Sequence, residues 1–154
     1  MKNHIPFLVL LLAVLSLIWL MRPDTDAAAA EPFIDWAEGF SSPKDMLEAS
    51  QMSVAGTVTE AREIWADSLA CRRYTLQVQA VHKGDLPVGS RLDVIIVNNP
   101  GGPEMRVDSS YTLCLKPSTR TGCTDAWEIL GSVQGLAEYT DTADFAANFA
   151  GNFK

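Results

Sequence analysis

Hydrophobic and polar positions alternate with a period of two along much of the chain after residue 50, which is the pattern of half-buried β-strands. The alternation predicts five strands, over residues 52–59, 73–81, 91–98, 110–116 and 126–133. The inward positions that it predicts in the first, second and fifth strands are Met52, Val54, Gly56, Val58, Tyr74, Leu76, Val78, Ala80, Trp127, Ile129 and Val133. Because glycine inside a strand is typical of a bulge or bend, Gly56 predicts one in the first strand.

Two short helices are predicted on either side of the strands. Ser42 can cap a helix over residues 43–49, since serine before a first-turn proline is typical of a helix start. Thr140 can cap a second helix over residues 141–150, which Gly151 would stop. Five short strands separated by turn residues predict a mainly β fold, a small closed or partly open barrel with short flanking helices.

The N-terminal segment follows a different pattern. Residues 5–21 contain no charged residue, Lys2 precedes them, and residues 27–30 are four alanines. A basic start, an apolar run and a small-residue cleavage site are typical of a secretory signal peptide, here over residues 1–30. The apolar run also reaches the lower limit for crossing a bilayer, so an uncleaved signal anchor is the alternative. In both cases we expect a non-cytoplasmic protein, periplasmic or secreted, or anchored with its domain outside the membrane.

Composition excludes one class of partner. The chain has 12 Lys and Arg residues against 19 Asp and Glu residues, a formal charge of −7. Residues 1–30 contain two of each sign, so the whole net charge belongs to residues 31–154. Binding of nucleic acid depends on Lys and Arg residues that neutralise phosphates, so we expect no nucleic-acid partner. Membrane contact is expected only through residues 5–21, if these are retained.

The three cysteines are Cys71, Cys114 and Cys123. In an oxidising compartment an odd number indicates one disulfide and one remaining thiol, or a bond to a partner chain. Cys114 lies in an alternating apolar run, where a buried thiol is expected. Cys71 and Cys123 lie in polar, loop-like sequence and are the favoured pair, which would close a loop of about fifty residues and stabilise by about 4 kcal/mol. A Cys114–Cys123 bond, at about 3 kcal/mol, is the alternative.

Catalytic chemistry is sparse in this sequence. His82 is the sole histidine after residue 30, and at the end of a predicted strand it is expected to be an exposed connector. No glycine-flanked serine nucleophile is present, and three cysteines without a C-x-x-C spacing do not assemble a zinc site. Gly101-Gly102 lacks the helix and lysine of a phosphate loop and predicts a turn. We therefore predict no catalytic residue, cofactor or metal, with an enzyme of unrecognised site as an alternative.

Five short motifs suggest a family. They are Val54-Ala55-Gly56-Thr57-Val58, Tyr74-Thr75-Leu76-x-Val78-x-x-Val81-x-Lys83-Gly84, Gly101-Gly102, Tyr111-x-Leu113-x-Leu115 and Gln134-Gly135. In this order they resemble the netrin-module and TIMP-like group, particularly its bacterial exported members. The resemblance implies a five-stranded OB-like barrel, here over residues 51–137, between a linker with a short helix at 31–50 and a C-terminal helix at 138–154.

Metalloproteinase inhibition does not follow from this resemblance. The tissue inhibitors of metalloproteinases bind the protease zinc through a mature N-terminal cysteine in a Cys-x-Cys sequence. The predicted mature start here is Glu31-Pro32-Phe33, and no cysteine precedes Cys71. Function must therefore be argued from this chain's own residues.

A binding surface is the leading functional prediction. OB-like barrels bind ligands on one face and its surrounding loops. By position along the chain, the candidate residues are Trp65, Arg72, Arg73, Asn98, Asn99 and Arg106. We expect a non-enzymatic binding module whose partner is another exported or envelope protein. The alternative is a membrane-anchored accessory subunit of an envelope protein complex.

Overall fold

The computed structural model describes residues 39–140 and 144–153. The predicted signal peptide or anchor and residues 31–38 of the predicted linker lie outside these residues. Within the described ranges, no helix has both the length and the apolar character needed to cross a membrane.

Six strands and two short α-helices form the described part of the chain, which confirms the predicted mainly β class. Their bounds are α1 Pro43–Ala49, β1 Met52–Ala66, β2 Leu69–Lys83, β3 Arg91–Val97, β4 Ser110–Pro117, β5 Trp127–Ile129, β6 Leu136–Glu138 and α2 Phe145–Phe149. Single turns of 3₁₀ helix cover Ser132–Gly135 and Ala150–Asn152.

The strands form one sheet in the order β1-β2-β3-β5-β4-β6. All neighbours are antiparallel except the parallel pair of β3 and β5. The first half of β1 also pairs with β4, from Met52 opposite Leu115 to Thr57 opposite Ser110. The pairings β1-β2-β3-β5-β4-β1 therefore return to the strand from which they start.

The inner face of this sheet is apolar. It holds Met52, Val54, Val58, Tyr74, Leu76, Val78, Leu92, Val94, Ile96, Met105, Tyr111, Leu113, Leu115 and Ile129. Most of the predicted inward positions are thus confirmed, and Trp127 packs against the same cluster. Val133 was predicted inward and is 51% exposed, because β5 ends at Ile129 and Val133 belongs to the 3₁₀ turn.

Gly56 marks an irregularity in β1, as the sequence predicts. The register between β1 and β2 shifts between Ala55 and Gly56. A Cβ atom at Gly56 would lie 2.7 Å from the Gln77 carbonyl oxygen. Since only glycine tolerates so close an approach of two backbones, the bend of β1 depends on this residue.

The first two strands are much longer than predicted. Residues 60–72, expected to be mostly a connection, are instead the outer half of a two-stranded ribbon in which β1 and β2 pair up to Ala66 opposite Leu69. This half of the ribbon projects past the end of the β1–β4 pairing, so both of its faces carry polar side chains. The alternation of apolar and polar residues is therefore lost in this part of the sequence. The prediction of a loop here is therefore wrong.

A second apolar cluster lies where the helices contact the outer face of β4. It consists of Met46, Cys114, Leu130, Ala137 and Phe149, with Phe40, Phe145 and Phe153 packed against it. The Ser42 side chain caps α1 as predicted, by accepting from the Asp45 N–H at 3.2 Å. At the other end of α1, Lys83 Nζ donates to the carbonyl oxygens of Leu47 and Glu48 at 2.9 and 2.8 Å.

The described C-terminal helix covers Phe145–Phe149, and residues 141–143 of the predicted helix lie outside the described residues. It begins at Phe145, and Asp144 is its N-cap, with a side chain that accepts from the Ala146 N–H at 3.0 Å. Thr140 does not cap it; its N–H and hydroxyl both contact Asn148 Oδ1, at 3.0 and 2.6 Å.

Candidate functional site

The tip of the β1–β2 ribbon presents a tryptophan to solvent. Asp67 and Ser68 form the turn with φ of 50° and 64°, the left-handed values that a two-residue turn of type I′ requires. Trp65 pairs with Ala70 just before this turn and is 77% exposed. A tryptophan held outward on a strand offers a rigid apolar surface to a partner.

An open cleft of about 430 Å³ lies beside this tip, between β2, the end of β3 and the following loop. We call it the mouth cleft; it is lined by Arg72, Tyr74, Ile96, Val97, Asn98, Asn99, Pro100, Gly101, Gly102, Pro103 and Glu104. The Asn98 N–H donates to the Ala70 carbonyl at 2.9 Å. Asn98 of the cleft lining is therefore hydrogen-bonded to the residue that pairs with Trp65.

Trp65 and the Arg72 side chain lie on the same face of the ribbon. Trp65 is opposite Ala70 and Glu63 is opposite Arg72. Directly opposed residues in an antiparallel pair share a face, and residues two apart on one strand do so as well. The exposed indole therefore lies on the same face of the ribbon as Arg72, which lines the mouth cleft.

Arg72 is the central charged group of the mouth cleft. Its Nη1 lies 2.9 Å from Glu104 Oε1, and its Nη2 lies 3.6 Å from Glu63 Oε1. The hydrogen bond with Tyr74 is the main cause that raises the pKa of Arg72 above its ordinary value, and Glu104 adds to it. The guanidinium stays charged, and both of its carboxylate partners are mostly exposed, so a ligand can contact these carboxylates at little cost.

The Pro-Gly-Gly loop closes one side of the mouth cleft, and its turn is the one that the sequence predicts. The Gly102 N–H donates to the Asn99 carbonyl at 2.9 Å. Farther along, the Met105 N–H points to Tyr74 Oη at 3.5 Å, and the Arg106 N–H donates to Tyr111 Oη at 3.0 Å. These two tyrosines tie the loop to the core.

Three of the six predicted surface residues, Arg72, Asn98 and Asn99, thus line the mouth cleft, and Trp65 lies on the same face of the ribbon as Arg72. Arg73 lies on the opposite face of β2, where its Nη2 contacts Asp93 Oδ2 at 2.6 Å and Asp125 Oδ2 at 2.7 Å. Its pKa is raised, first by Asp125. Arg106 lines a different cleft, of about 380 Å³, with Glu138 3.4 Å away.

The three side chains that contact Arg72 were not among the predicted site residues. Glu63 and Glu104 hold Arg72, and Tyr74 forms part of the lining. Glu63 could have been found from its spacing of two from Trp65, had residues 60–66 been recognised as a strand. Glu104 carries no such signal, because it meets Arg72 only through the course of the loop.

All three cysteines are buried, and no disulfide joins them in this structure. Cys114 belongs to the cluster beneath α2, as expected for an apolar strand position, and burial raises its pKa to about 11. Cys71 lies on β2 and Cys123 lies between β4 and β5. The Cys71–Cys123 disulfide stays a prediction.

His82 is not the exposed connector that its position suggests. It lies at the end of β2, half-buried, with its ring centroid 5.4 Å from that of Phe145 in an edge-to-face arrangement. Its Nε2 is buried without a hydrogen-bond partner, and burial lowers its pKa below 6.5. A neutral ring against an aromatic side chain indicates packing rather than catalysis.

We expect acidification to destabilise the protein through His82. In the pH range between 6.5 and the lower pKa of His82 in the folded protein, the unfolded chain binds the proton and the folded chain does not. The free energy of unfolding therefore decreases as the pH is lowered through this range and becomes constant below it. Urea unfolding of the wild type and of His82→Leu, at about pH 7.5 and about pH 5.5, measures the effect. The variant should lose less stability on acidification, and equal losses in the two proteins would contradict the assignment.

Among residues 39–140 and 144–153, no group of three or more His, Cys, Asp or Glu side chains could hold a metal ion. The described part of the chain is a mainly β domain with an open cleft of mixed polar and apolar lining and a protruding tryptophan. Comparison of the chain with protein-family models and with curated proteins finds no match.

Proposed function

We propose that this protein is an exported, non-enzymatic binding module that holds its partner at the mouth cleft. The observation that carries the proposal is the 77% exposure of Trp65 on the face of the ribbon that also presents Arg72. An exposed aromatic residue beside a partly buried arginine is the combination enriched at the energetic centres of protein interfaces.

The closed circuit of strand pairings supports an OB-like barrel as the scaffold. The circuit runs β1-β2-β3-β5-β4-β1, and the mouth cleft lies at one end of its inner face. In such barrels the ligand lies on a face bordered by loops. The resemblance to the netrin-module and TIMP-like group points to the same scaffold. In two of its motifs, Lys83 donates to carbonyl oxygens at the end of α1, and Gln134 accepts from the Phe40 N–H.

The proposed partner is another exported or envelope protein that presents a cationic group. Glu63 and Glu104 flank Arg72, so the charged side chains at the cleft have a net negative charge. The whole chain carries −7, which attracts positively charged partners over the distance of the Debye length. A lysine or arginine of the partner could contact both the indole and one of the two carboxylates.

Affinity capture tests this function. The full chain is immobilised and exposed to envelope extract, and bound proteins are quantified by mass spectrometry. Trp65→Ser is expected to reduce the recovery of the specific partner by about tenfold or more, because loss of a central tryptophan typically has an effect of this size or larger. Glu104→Gln should act in the same direction, because it removes a carboxylate that is proposed to contact the partner's cationic group, and higher salt should weaken capture.

Two controls separate the mouth cleft from the rest of the surface. Val88→Ser alters an apolar residue that is 65% exposed in the β2–β3 connection, and Arg106→Gln alters an arginine that lines the other cleft. Both variants should capture the partner as the wild type does. If Val88→Ser or Arg106→Gln abolished capture while Trp65→Ser left it intact, the mouth cleft would not be the binding site.

The alternative is an anchored accessory subunit, which the uninterrupted apolar run of residues 5–21 favours. Both forms would use the same cleft and would differ only in whether residues 1–30 are removed. Intact-mass measurement of the protein recovered from its host distinguishes them. A chain that starts at Glu31 excludes the anchor, and a chain that retains residues 5–21 excludes the free form.

A further inference from the structure

Two side-chain contacts hold the segment between β4 and β5 against the outer face of β2 and the turn that precedes it. Asp67 Oδ1 accepts from the Thr121 N–H at 3.1 Å at the start of this region. Asp125 Oδ2 accepts from Arg73 Nη2 at 2.7 Å at its end. Cys71 lies between Asp67 and Arg73 on one side, and Cys123 lies between Thr121 and Asp125 on the other.

The direction of the Cys71 side chain follows from its neighbour. Residues two apart on a strand share a face, so Cys71 points to the same side of β2 as Arg73, whose guanidinium contacts Asp125. Cys123 is held in a turn by its N–H, which donates to the Arg120 carbonyl at 3.0 Å. Both thiols are almost completely buried, at 0% and 3% exposure.

The electrostatics of Cys71 agree with this placement. Burial raises the pKa of its thiol, the charge of Arg120 lowers it, and Cys123 raises it. Two residues of the β4–β5 segment therefore act on Cys71 at short range. Cys114 is absent from these influences; its own surroundings are Ser53, Ser50 and Lys83.

We infer that Cys71 and Cys123 form a disulfide that fixes the segment 118–126 to the outer face of β2, and that Cys114 remains a thiol. The bond forms when each thiol loses one proton and the pair passes two electrons to a disulfide oxidant, which is reduced to two thiols. This inference rests on the proposed export of the protein, because disulfides persist in oxidising compartments. The bond would lie on the face of the β1–β2 ribbon opposite to the face that carries Trp65.

Refolding of the full chain in a buffer of reduced and oxidised glutathione tests the bond itself. After alkylation and proteolysis without reductant, we expect a linked peptide pair that contains Cys71 and Cys123, with alkylated Cys114. Alkylation of Cys71, or a linked pair that contains Cys114, would overturn the inference. The same peptide map of protein isolated directly from its host tests export. A chain that is reduced when it is isolated but forms the bond in glutathione would contradict the proposed export and leave the disulfide inference intact.

A set of variants measures what the bond does. A closed loop of about fifty residues predicts about a thousandfold larger unfolding equilibrium constant when the bond is absent. Cys71→Ala, Cys123→Ala and the double variant should lose similar stability, because one bond is removed in each case. Additive losses would refute a shared bond. Cys114→Ala is the control and should keep the linked peptide.

Limited trypsin digestion reports on the segment without any substitution. Arg120 lies in the segment, and its side chain is 19% exposed. We expect cleavage after Arg120 to be about tenfold faster in the reduced wild type than in the oxidised one, because the bond raises the cost of opening the segment. Equal cleavage rates would show that the bond does not hold this segment.

Discussion

A Gly135→Ala variant is expected to unfold at a much lower urea concentration than the wild type, with a loss of about 3 kcal/mol in the free energy of unfolding. A Cβ atom at this position would lie 1.9 Å from the Leu130 carbonyl oxygen and 2.9 Å from Ile129 Cγ2. The first of these atoms is backbone, so relief requires movement of the turn between β5 and β6. Equilibrium urea unfolding followed by circular dichroism measures the change.

The control for this substitution is Gly151→Ala. A Cβ atom at Gly151 meets nothing within 4 Å, so we expect a change within about 0.5 kcal/mol. The neighbouring Gln134 connects this turn to the segment before α1, because its Oε1 accepts from the Phe40 N–H at 2.9 Å. A Gly135→Ala protein as stable as the Gly151→Ala protein would mean that this turn is not closely packed.

Phe149→Ala is expected to cost about 3–5 kcal/mol, the range for truncation of a buried phenylalanine. Phe149 is fully buried in α2 and packs in the cluster with Met46, Cys114 and Leu130. The loss should expose part of this cluster. Urea unfolding measures the stability, and the rate at which Cys114 reacts with a thiol reagent measures the opening.

Phe145→Ala is the matched control in the same helix. Phe145 is half-buried, contacts the Phe149 ring at a centroid distance of 4.8 Å and touches His82 from the outside of the cluster. Its truncation should cost less than that of Phe149 and leave Cys114 slow to react. The packing assignment would fail if the two truncations had equal effects on both measurements.

The half of the fold that alternates cleanly could be predicted from the sequence. Tyr74, Leu76 and Val78 have polar neighbours, and period-two burial is the only arrangement that removes all three from water. The 3₁₀ turn at Ser132–Gly135 could not be predicted, because Val133 continues the alternation of β5 by chance. What ends the strand is Gly131 with a φ of 69°, which the pattern of hydrophobic positions does not reveal.

The candidate site could be predicted only in part, and the reason is again alternation. Arg72 and Arg73 are adjacent in sequence, yet consecutive strand residues point to opposite faces. One therefore lines the mouth cleft and the other forms ion pairs with Asp93 and Asp125. The predicted second strand begins at Arg73 and leaves Arg72 in the preceding connection, so the rule that separates the two side chains was not applied and both were assigned to one surface.

The outer half of β1 has a further consequence for the protein at high concentration. Among the described residues, Glu60–Ala66 pairs with β2 on one side, whereas the β4 pairing ends at Thr57. An edge of this kind is a template for strand addition between copies, and natural sheets protect such edges with charged residues. Glu60, Arg62 and Glu63 are exposed here. The same charged residues that disrupt the alternating pattern of this strand therefore also protect its edge from pairing with another copy.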